Sequence, residues 1–466
     1  MAHAERNYLS RREGLGALLG ALGIAAATGC ARGPLRPSAP LALSVSTVLG
    51  TAPPGRRTGD LARRGGMGSS TPSRIQATVV VAEGCVAPGD GGGGVFHWVA
   101  GIGRDDGGII VVPDDQPKNA GYWKRIHSGF IDVRWFGALP GDSSARTKAT
   151  NVIAFGNAIA AAAAAQGGIV FVPAGVFYID SPIRIEAPTS GVSRSRITMR
   201  GVGRGSLQVG TASSIVQTSN VTAIAIQGES QIGGVTLEDL GIYLSHPGPP
   251  QENAYGVHLR NAKDCTIRNV VVGPFSPQAA GFSVGICLEV ASPGVDAICN
   301  VIEDSHVVNN ATNVQLRTGE VNALEMRKVT FGGGRSRYGV TAIDCNSLVI
   351  AGGDCEGVQE CAIVVDARGG RLGVGCLISG VHFESNRRAD ISLGATATVG
   401  GISVSGCLFS GGGVSEYPLK AFHVNGLAFT GNAVSGYSVN DIFTTPNCSN
   451  IFACGNDNIP NRCGGA

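Results

Sequence analysis

Leu348-Val-Ile-Ala-Gly-Gly-Asp-Cys355 and, further along the chain, Cys376-Leu-Ile-Ser-Gly-Val-His-Phe383 share one pattern. Two apolar residues alternate, a two-residue break follows, and apolar character then returns. Alternation over so few residues is the period of a β-strand and is too short for a helix. On either side the pattern recurs at Val235–Ile242, Cys265–Val272, Asn300–Val307, Leu324–Phe331, Ile402–Phe409 and Leu427–Val434, with a degenerate copy at Ile451–Asn456. Its third positions are Leu237, Ile267, Ile302, Met326, Ile350, Ile378, Val404, Phe429 and Ala453. The spacing between them, roughly 24 to 35 residues, falls within the range of solenoid repeats. A second short strand lies between copies, at Gly256–Leu259, Gly285–Leu288, Asn313–Leu316, Ala362–Val365, Asp390–Leu393 and Ala421–Val424.

A unit of this size cannot bury its apolar face alone, so neighbouring units must stack. A repeat this short with several strands per turn predicts an all-β, right-handed, single-stranded parallel β-helix. The leucine and asparagine consensus of leucine-rich repeats is missing. Composition agrees: 71 of 466 residues are glycine, which suits a chain that turns tightly two or three times per coil. Glycine and proline stay below the share of low-complexity chains, and no every-third-residue glycine suggests collagen. A net charge of +2 with scattered Lys and Arg calls for neither a nucleic acid nor an acidic membrane.

Residues 1–30 read as an address. Ser10-Arg11-Arg12 precedes an uncharged run from Leu15 to Thr28, and the segment ends Ala27-Thr28-Gly29-Cys30. This resembles a twin-arginine export signal with a lipobox, which implies lipidation of Cys30 and a periplasmic, surface or extracellular destination. The run is too short to span a membrane. Residues 31–74, rich in Pro, Gly, Ser and Arg, read as a flexible linker. Twelve further cysteines suit an oxidising compartment. Cys448, Cys454 and Cys463 are placed to staple the C-terminus, whereas Cys265, Cys376 and Cys407 sit at apolar repeat positions as small buried thiols. No CxxC pair or HExxH is present, so the expectation is no metal site.

Residues 131–185 carry a family resemblance. Phe136-Gly-Ala138 leads through a polar loop into an alanine-rich helix (Ala149–Ala165), then Gly167-Gly168-Ile-Val-Phe-Val-Pro-Ala-Gly-Val-Phe-Tyr-Ile179. This resembles the opening of pectate-lyase superfamily β-helices related to rhamnogalacturonase and phage tailspikes. The helix would then cap the solenoid, with residues 131–466 forming the β-helix. Residues 75–130, with Pro88–Trp98 and Gly121–Ile126, are similar to the small β-rich lead-in module of tailspike-like members. Relatives carry paired aspartates before the helix. Here Ser143-Ser144-Ala145-Arg146 stands in their place, which predicts a weaker helix cap. The three tryptophans, Trp98, Trp123 and Trp135, precede the coils and are expected in the lead-in core rather than as a sugar platform.

Aligning coils on their third positions puts residues four and six places later on the outer face. The first row reads His306, Thr330, Asp354, His382, Leu408, and the second reads Val308, Gly332, Glu356, Glu384, Ser410. Asp354, Glu356 and Glu384 thus gather on neighbouring coils. Crowded carboxylates resist ionising together, which suits a glycosidase pair of one acid and one base or nucleophile. These three are the candidate catalytic residues, with His306, His382, Arg387 and Arg388 as candidate substrate ligands. Solvated acids on a sheet face are the competing structural explanation. Arg260, Glu289 and Arg317 form a second aligned row, expected to be a salt ladder. The expected function is cleavage of an extracellular or envelope polysaccharide without a cofactor, hydrolysis being favoured over a uronate lyase, which would add calcium. A non-catalytic polysaccharide binder and a uronate epimerase are the alternatives. Tailspike relatives use trimers, but no coiled-coil signal in this sequence indicates a homotrimer.

Overall fold

The computed structural model describes residues 79–113, 119–187, 195–205, 212–292, 295–317, 321–368 and 373–463. The export signal, Cys30 and the linker lie outside these residues. The predicted third positions form one continuous ladder, with Leu237, Ile267, Ile302, Met326, Ile350, Ile378, Val404, Phe429 and Ala453 paired in parallel from coil to coil. All of them are buried. The fold is the expected right-handed parallel β-helix, built from a twenty-stranded sheet and a ten-stranded sheet.

The two-residue break has a specific backbone cause. Two places after each third position stands a left-handed residue: Asp239, Asn269, Asp304 and Lys328, then Gly352, Gly380, Gly406, Gly431 and Gly455. Their φ angles run from +48° to +66°. The bend folds the twenty-stranded sheet along its length into two faces, face 1 before it and face 2 after it. The ten-stranded sheet is face 3. Glycine, and to a lesser degree Asn and Asp, adopts this conformation cheaply and fills eight of the nine places, Lys328 being the exception.

Face 3 corrects one detail. Its last-but-one strand is Tyr417–Ala421, and Ala421–Val424 instead leads into the next strand, Val424–Thr430. A face 3 strand at Tyr338–Ile343 had no counterpart in the sequence pattern. Inside the coils, Asn432 accepts a hydrogen bond from Cys407 N and donates to Val404 O, so it is an internal ladder residue. Asn310 and Asn313 are likewise buried inside their corner.

A helix, α1 (Ala145–Ala164), closes the N-terminal end, burying Ala154, Phe155, Ala158, Ile159 and Ala162. Its cap is not weak. Ser144 Oγ accepts from Thr147 N, and Asp142 accepts from Ser144 N at 2.8 Å, which replaces the missing aspartate pair. Buried Asn151 ties the preceding loop to the helix through Leu139 N and O and reaches Tyr178 O.

The lead-in module is an antiparallel sheet of β1 (Val79–Ala82), β2 (Gly94–Val99), β3 (Ile110–Val111) and β4 (Tyr122–Arg125). Trp123 is buried in its core, with Trp98 edge-on at 5.1 Å. Trp135 departs from expectation, because it packs with the solenoid core rather than the lead-in core. Buried Arg125 joins the two. Its guanidinium lies 4.5 Å from the Phe96 ring and 4.6 Å from the Trp135 ring, and it donates to the carbonyls of Gly92, Gly93 and Gly108. At the other end Cys454 and Cys463 form a disulfide, while Cys265, Cys376 and Cys407 are free and buried.

Candidate functional site

Face 2 begins immediately after the left-handed bend, so alternation there points Cys355, Phe383, Phe409 and Val434 inward and their neighbours outward. The inward residues stack in register, with the Phe383 and Phe409 rings 4.8 Å apart and nearly parallel. This makes a stiff floor. On its outside, His306 pairs with Thr330, Thr330 with Asp354, Asp354 with His382, and Glu356 with Glu384. The two outward rows read from the sequence are thus rows in space. Glu356 and Glu384 sit one coil apart, roughly 4.8 Å at the backbone.

Polar contacts order this patch. Thr330 Oγ1 donates to Asp354 Oδ1 at 2.8 Å. His382 Nε2 lies 3.8 Å from Glu384 Oε2. Glu356 is exposed, whereas Asp354 and Glu384 are half-buried. Partial burial, together with repulsion from Arg204, holds the His306 imidazole below its usual pKa, with Asp354 pulling the other way. Arg204 itself is anchored by donating to Asp304 O at 2.7 Å. Arg387 and Arg388 stand on the next corner, where Arg388 pairs with Glu360 at 2.8 Å. Neither arginine contacts the three acids among the described residues.

Behind the acids lies a buried polar knot. Asn386 Oδ1 accepts from Val358 N, and its Nδ2 donates to Cys355 O and to Asp390 Oδ1 at 2.7 Å. Tyr437 donates its hydroxyl to Asp390. Burial pushes the Asp390 carboxyl up to about 7, against the pull of the hydrogen bonds from Tyr437 and Asn386. The knot pins the corners that follow Glu356 and Glu384.

Two features go beyond the rows read from the sequence: how closely Gly332 packs on Glu356, and what stands upstream of residue 306. Gly332 abuts Glu356 so closely that a Cβ there would stand 2.6 Å from Glu356 N, leaving bare backbone beside the acid. Toward the N-terminus face 2 becomes aromatic. Tyr178 and Tyr243 flank Val216 in register, and both rings meet Phe275 edge-on, at 6.2 and 6.1 Å. Tyr243 lies six places after Leu237, so extending the second row upstream would have found it. From Tyr243 to Glu356 is four coils, roughly 19 Å along the axis.

The rhamnogalacturonase A/epimerase, pectate lyase-like family model matches residues 130–363, half of the chain. The chain belongs to this family. The family's matched stretch contains His306, Asp354 and Glu356 and stops before His382 and Glu384. The model of the phage tail protein small four-stranded β-sheet domain matches residues 69–128, the lead-in module. Among solved structures, the chain is similar to the tailspike protein gp49 of Acinetobacter baumannii bacteriophage Fri1, a capsular polysaccharide depolymerase. Identity is 15%, the TM-score is 0.59, and the match covers 87% of this chain and 71% of that one. The tailspike protein of Acinetobacter baumannii phage AM24 is similar at 14% identity and a TM-score of 0.50, covering 87% of this chain and 66% of that one. At these identities the likeness concerns the fold. No curated protein matches the chain.

Two other features lie off this patch. A cleft of about 810 Å³ opens between the lead-in loop, α1 and the first strands of face 3, lined by Arg104, Asn157, Glu186, Glu229 and Arg260 among others. None of the candidate acids lines it. Face 1 carries an alternating ladder, Arg200, Glu238, Arg268, Glu303 and Arg327, paired coil to coil. Burial opposes the charge on Glu238, but hydrogen bonds from Arg200 and Arg268 outweigh it and keep the carboxyl below its usual pKa. This is a structural use of aligned charge. The expected ladder of Arg260, Glu289 and Arg317 is also in register on face 3.

Proposed function

We propose that this protein is an exported carbohydrate-active enzyme that hydrolyses an extended polysaccharide laid along face 2. The supporting observation is the register that sets Glu356 beside Glu384 and Asp354 beside His382, next to the bare backbone of Gly332. Membership in a family named for rhamnogalacturonase and epimerase supports a sugar substrate, as does likeness to a tailspike that depolymerises capsular polysaccharide. In the hydrolysis, one carboxyl gives its proton to the leaving glycosidic oxygen. The second attacks the anomeric carbon or takes a proton from the water that does. Glu356 and Glu384 suit the close spacing of a retaining pair, and Asp354 with Glu384, at roughly 8 Å, suits an inverting one. Aromatic Tyr178 and Phe275, both partly exposed at the far end of face 2, offer a stacking surface several sugar rings away.

A second reading, a uronate lyase, would use His306 as the proton acceptor, since it stands on the outer row of Thr330 and Asp354 and burial with repulsion from Arg204 lowers its pKa. An assay of the purified protein against a polysaccharide panel separates the two, comparing new reducing ends with the absorbance of unsaturated uronate, with and without chelator. Hydrolysis raises only the first. Asp354→Asn, Glu356→Gln and Glu384→Gln are each expected to lower turnover at least about 100-fold, the scale of a lost acid–base group, with unchanged thermal unfolding. Full activity in all three variants places the site elsewhere. Binding without either product identifies a polysaccharide-binding protein. Mass spectrometry of the mature N-terminus tests the proposed export and lipidation at Cys30.

A further inference from the structure

On face 3, far from the acids, His258 and Cys287 occupy directly paired positions on adjacent coils, and Glu289 follows two residues after Cys287. All three therefore project from the same outer side of the sheet. One ligand atom from each, the imidazole nitrogen, the thiol sulfur and a carboxylate oxygen, lie within 4.8 Å of one another.

This side of a solenoid coil ordinarily faces water, yet Cys287 is wholly buried. Tyr255 packs with Val284 and Cys287 on the outside of the sheet, and its ring lies 4.6 Å from the His258 ring. His258 Nε2 is shut off from solvent and faces Glu289 Oε2 at 3.4 Å, an ion-pair contact that lacks good hydrogen-bond geometry. The Cys287 thiol makes no hydrogen bond among the described residues. An imidazole nitrogen and a thiol sulfur, both buried and neither in a well-formed hydrogen bond, are held beside a carboxylate in one space. That set suits a ligand that accepts electron pairs from all three.

We propose that His258, Cys287 and Glu289 form a site for a divalent transition cation, with Zn²⁺ the best match. Nitrogen, sulfur and carboxylate oxygen together are zinc donors, whereas calcium and magnesium take oxygen almost exclusively. Three protein ligands leave a fourth tetrahedral position for water. On binding, the thiol S–H bond breaks, its proton passes to solvent, and the sulfur electron pair forms the bond to the metal. Thiolate, carboxylate and dication then sum to a neutral centre. Neutrality matters because two cations stand close by. Arg260 Nε lies 4.0 Å from Glu289 Oε1, and Arg317 Nη1 donates to the Tyr255 hydroxyl at 2.8 Å. The metal would clamp the strand Tyr255–Lys263 to the strand Val284–Glu289.

Cobalt(II), which replaces zinc and reports sulfur ligation by a thiolate-to-metal absorption band in the near ultraviolet, tests this on the full chain after treatment with chelator. One cobalt per chain, a thiolate band, and displacement of the band by zinc are the expected results. Cys287→Ser is expected to abolish the band and His258→Gln to weaken cobalt binding at least tenfold, while Cys265→Ser leaves both intact. Zinc is expected to raise the melting temperature of the chelated wild type but not of Cys287→Ser. A wild type that binds neither metal overturns the proposal without reference to any variant. So does a cobalt band that survives Cys287→Ser.

Discussion

At the scale of single residues, Asp390 is the most informative group behind the candidate site. It is fully buried, and its carboxyl titrates near 7 rather than near 3.8 because burial favours the neutral form. In the unfolded chain it ionises at the ordinary value. The folded state therefore holds a proton that the unfolded state has lost between these limits. Stability from this group is full below about pH 4, falls as the pH rises toward 7, and is level above it. Asp390→Asn matches the protonated carboxyl in charge and shape, keeping the acceptor for Asn386 and turning its amide toward the Tyr437 hydroxyl, which then accepts rather than donates. Urea unfolding from pH 4 to 8 is expected to show a decline for the wild type and a flatter profile for the variant. An equal decline in both would assign the pH dependence to other groups. The acids themselves illustrate how far one residue can be read alone. Glu238 and Glu356 both belong to outward rows that contain further acids, and only their neighbours separate a salt ladder from a candidate active site.

At the scale of the element, the repeated motif is a strand, a left-handed bend and a shorter strand. Its two glycines at 352 and 353 do different work. A Cβ on Gly352 would meet only ordinary contacts, the closest being Lys328 Cγ at 3.8 Å, so its cost is the left-handed φ of +66°. A Cβ on Gly353 would stand 2.2 Å from Val329 O, with φ also positive at +87°. Gly352→Ala is expected to destabilise by roughly 1 kcal/mol, with Gly352→Asn milder. Gly353→Ala is expected to cost clearly more, because the neighbouring backbone must move. Denaturant midpoints of the three variants check the order, and a Gly353→Ala as mild as Gly352→Asn would contradict it. These bends were legible as a two-residue interruption of apolar alternation. Their left-handed conformation was not, since Asp239, Asn269 and Lys328 stand where later coils carry glycine.

At the scale of the whole molecule, a stack of parallel coils needs its open ends covered, or the unpaired edge invites further strands. Helix α1 and the lead-in module serve the N-terminal end. At the C-terminal end the tail turns back, Ala453 and Arg462 exchange backbone hydrogen bonds, and the Cys454–Cys463 disulfide holds the turn. Replacing both cysteines by serine is expected to loosen this plug by about 2–3 kcal/mol, the scale of a short disulfide loop. Hydrogen exchange should then quicken over residues 449–463 and stay unchanged around Asp354 and Glu384. Faster exchange through the whole solenoid would show that the coils unfold as one unit instead.

The β-helix, the coil-to-coil register of face 1 and the alignment of Asp354, Glu356 and Glu384 are all written in the sequence. They follow from local alternation and turn residues, which depend only on near neighbours along the chain. What lies beside and behind those rows emerges only when the coils meet. The Asn386–Asp390–Tyr437 knot, the bare Gly332 backbone and the His258, Cys287 and Glu289 cluster each join different coils. Third positions are separated by a variable stretch of chain, roughly 24 to 35 residues, so no fixed spacing carries such contacts. Corner length, and with it which side chains meet, is settled when the coils pack.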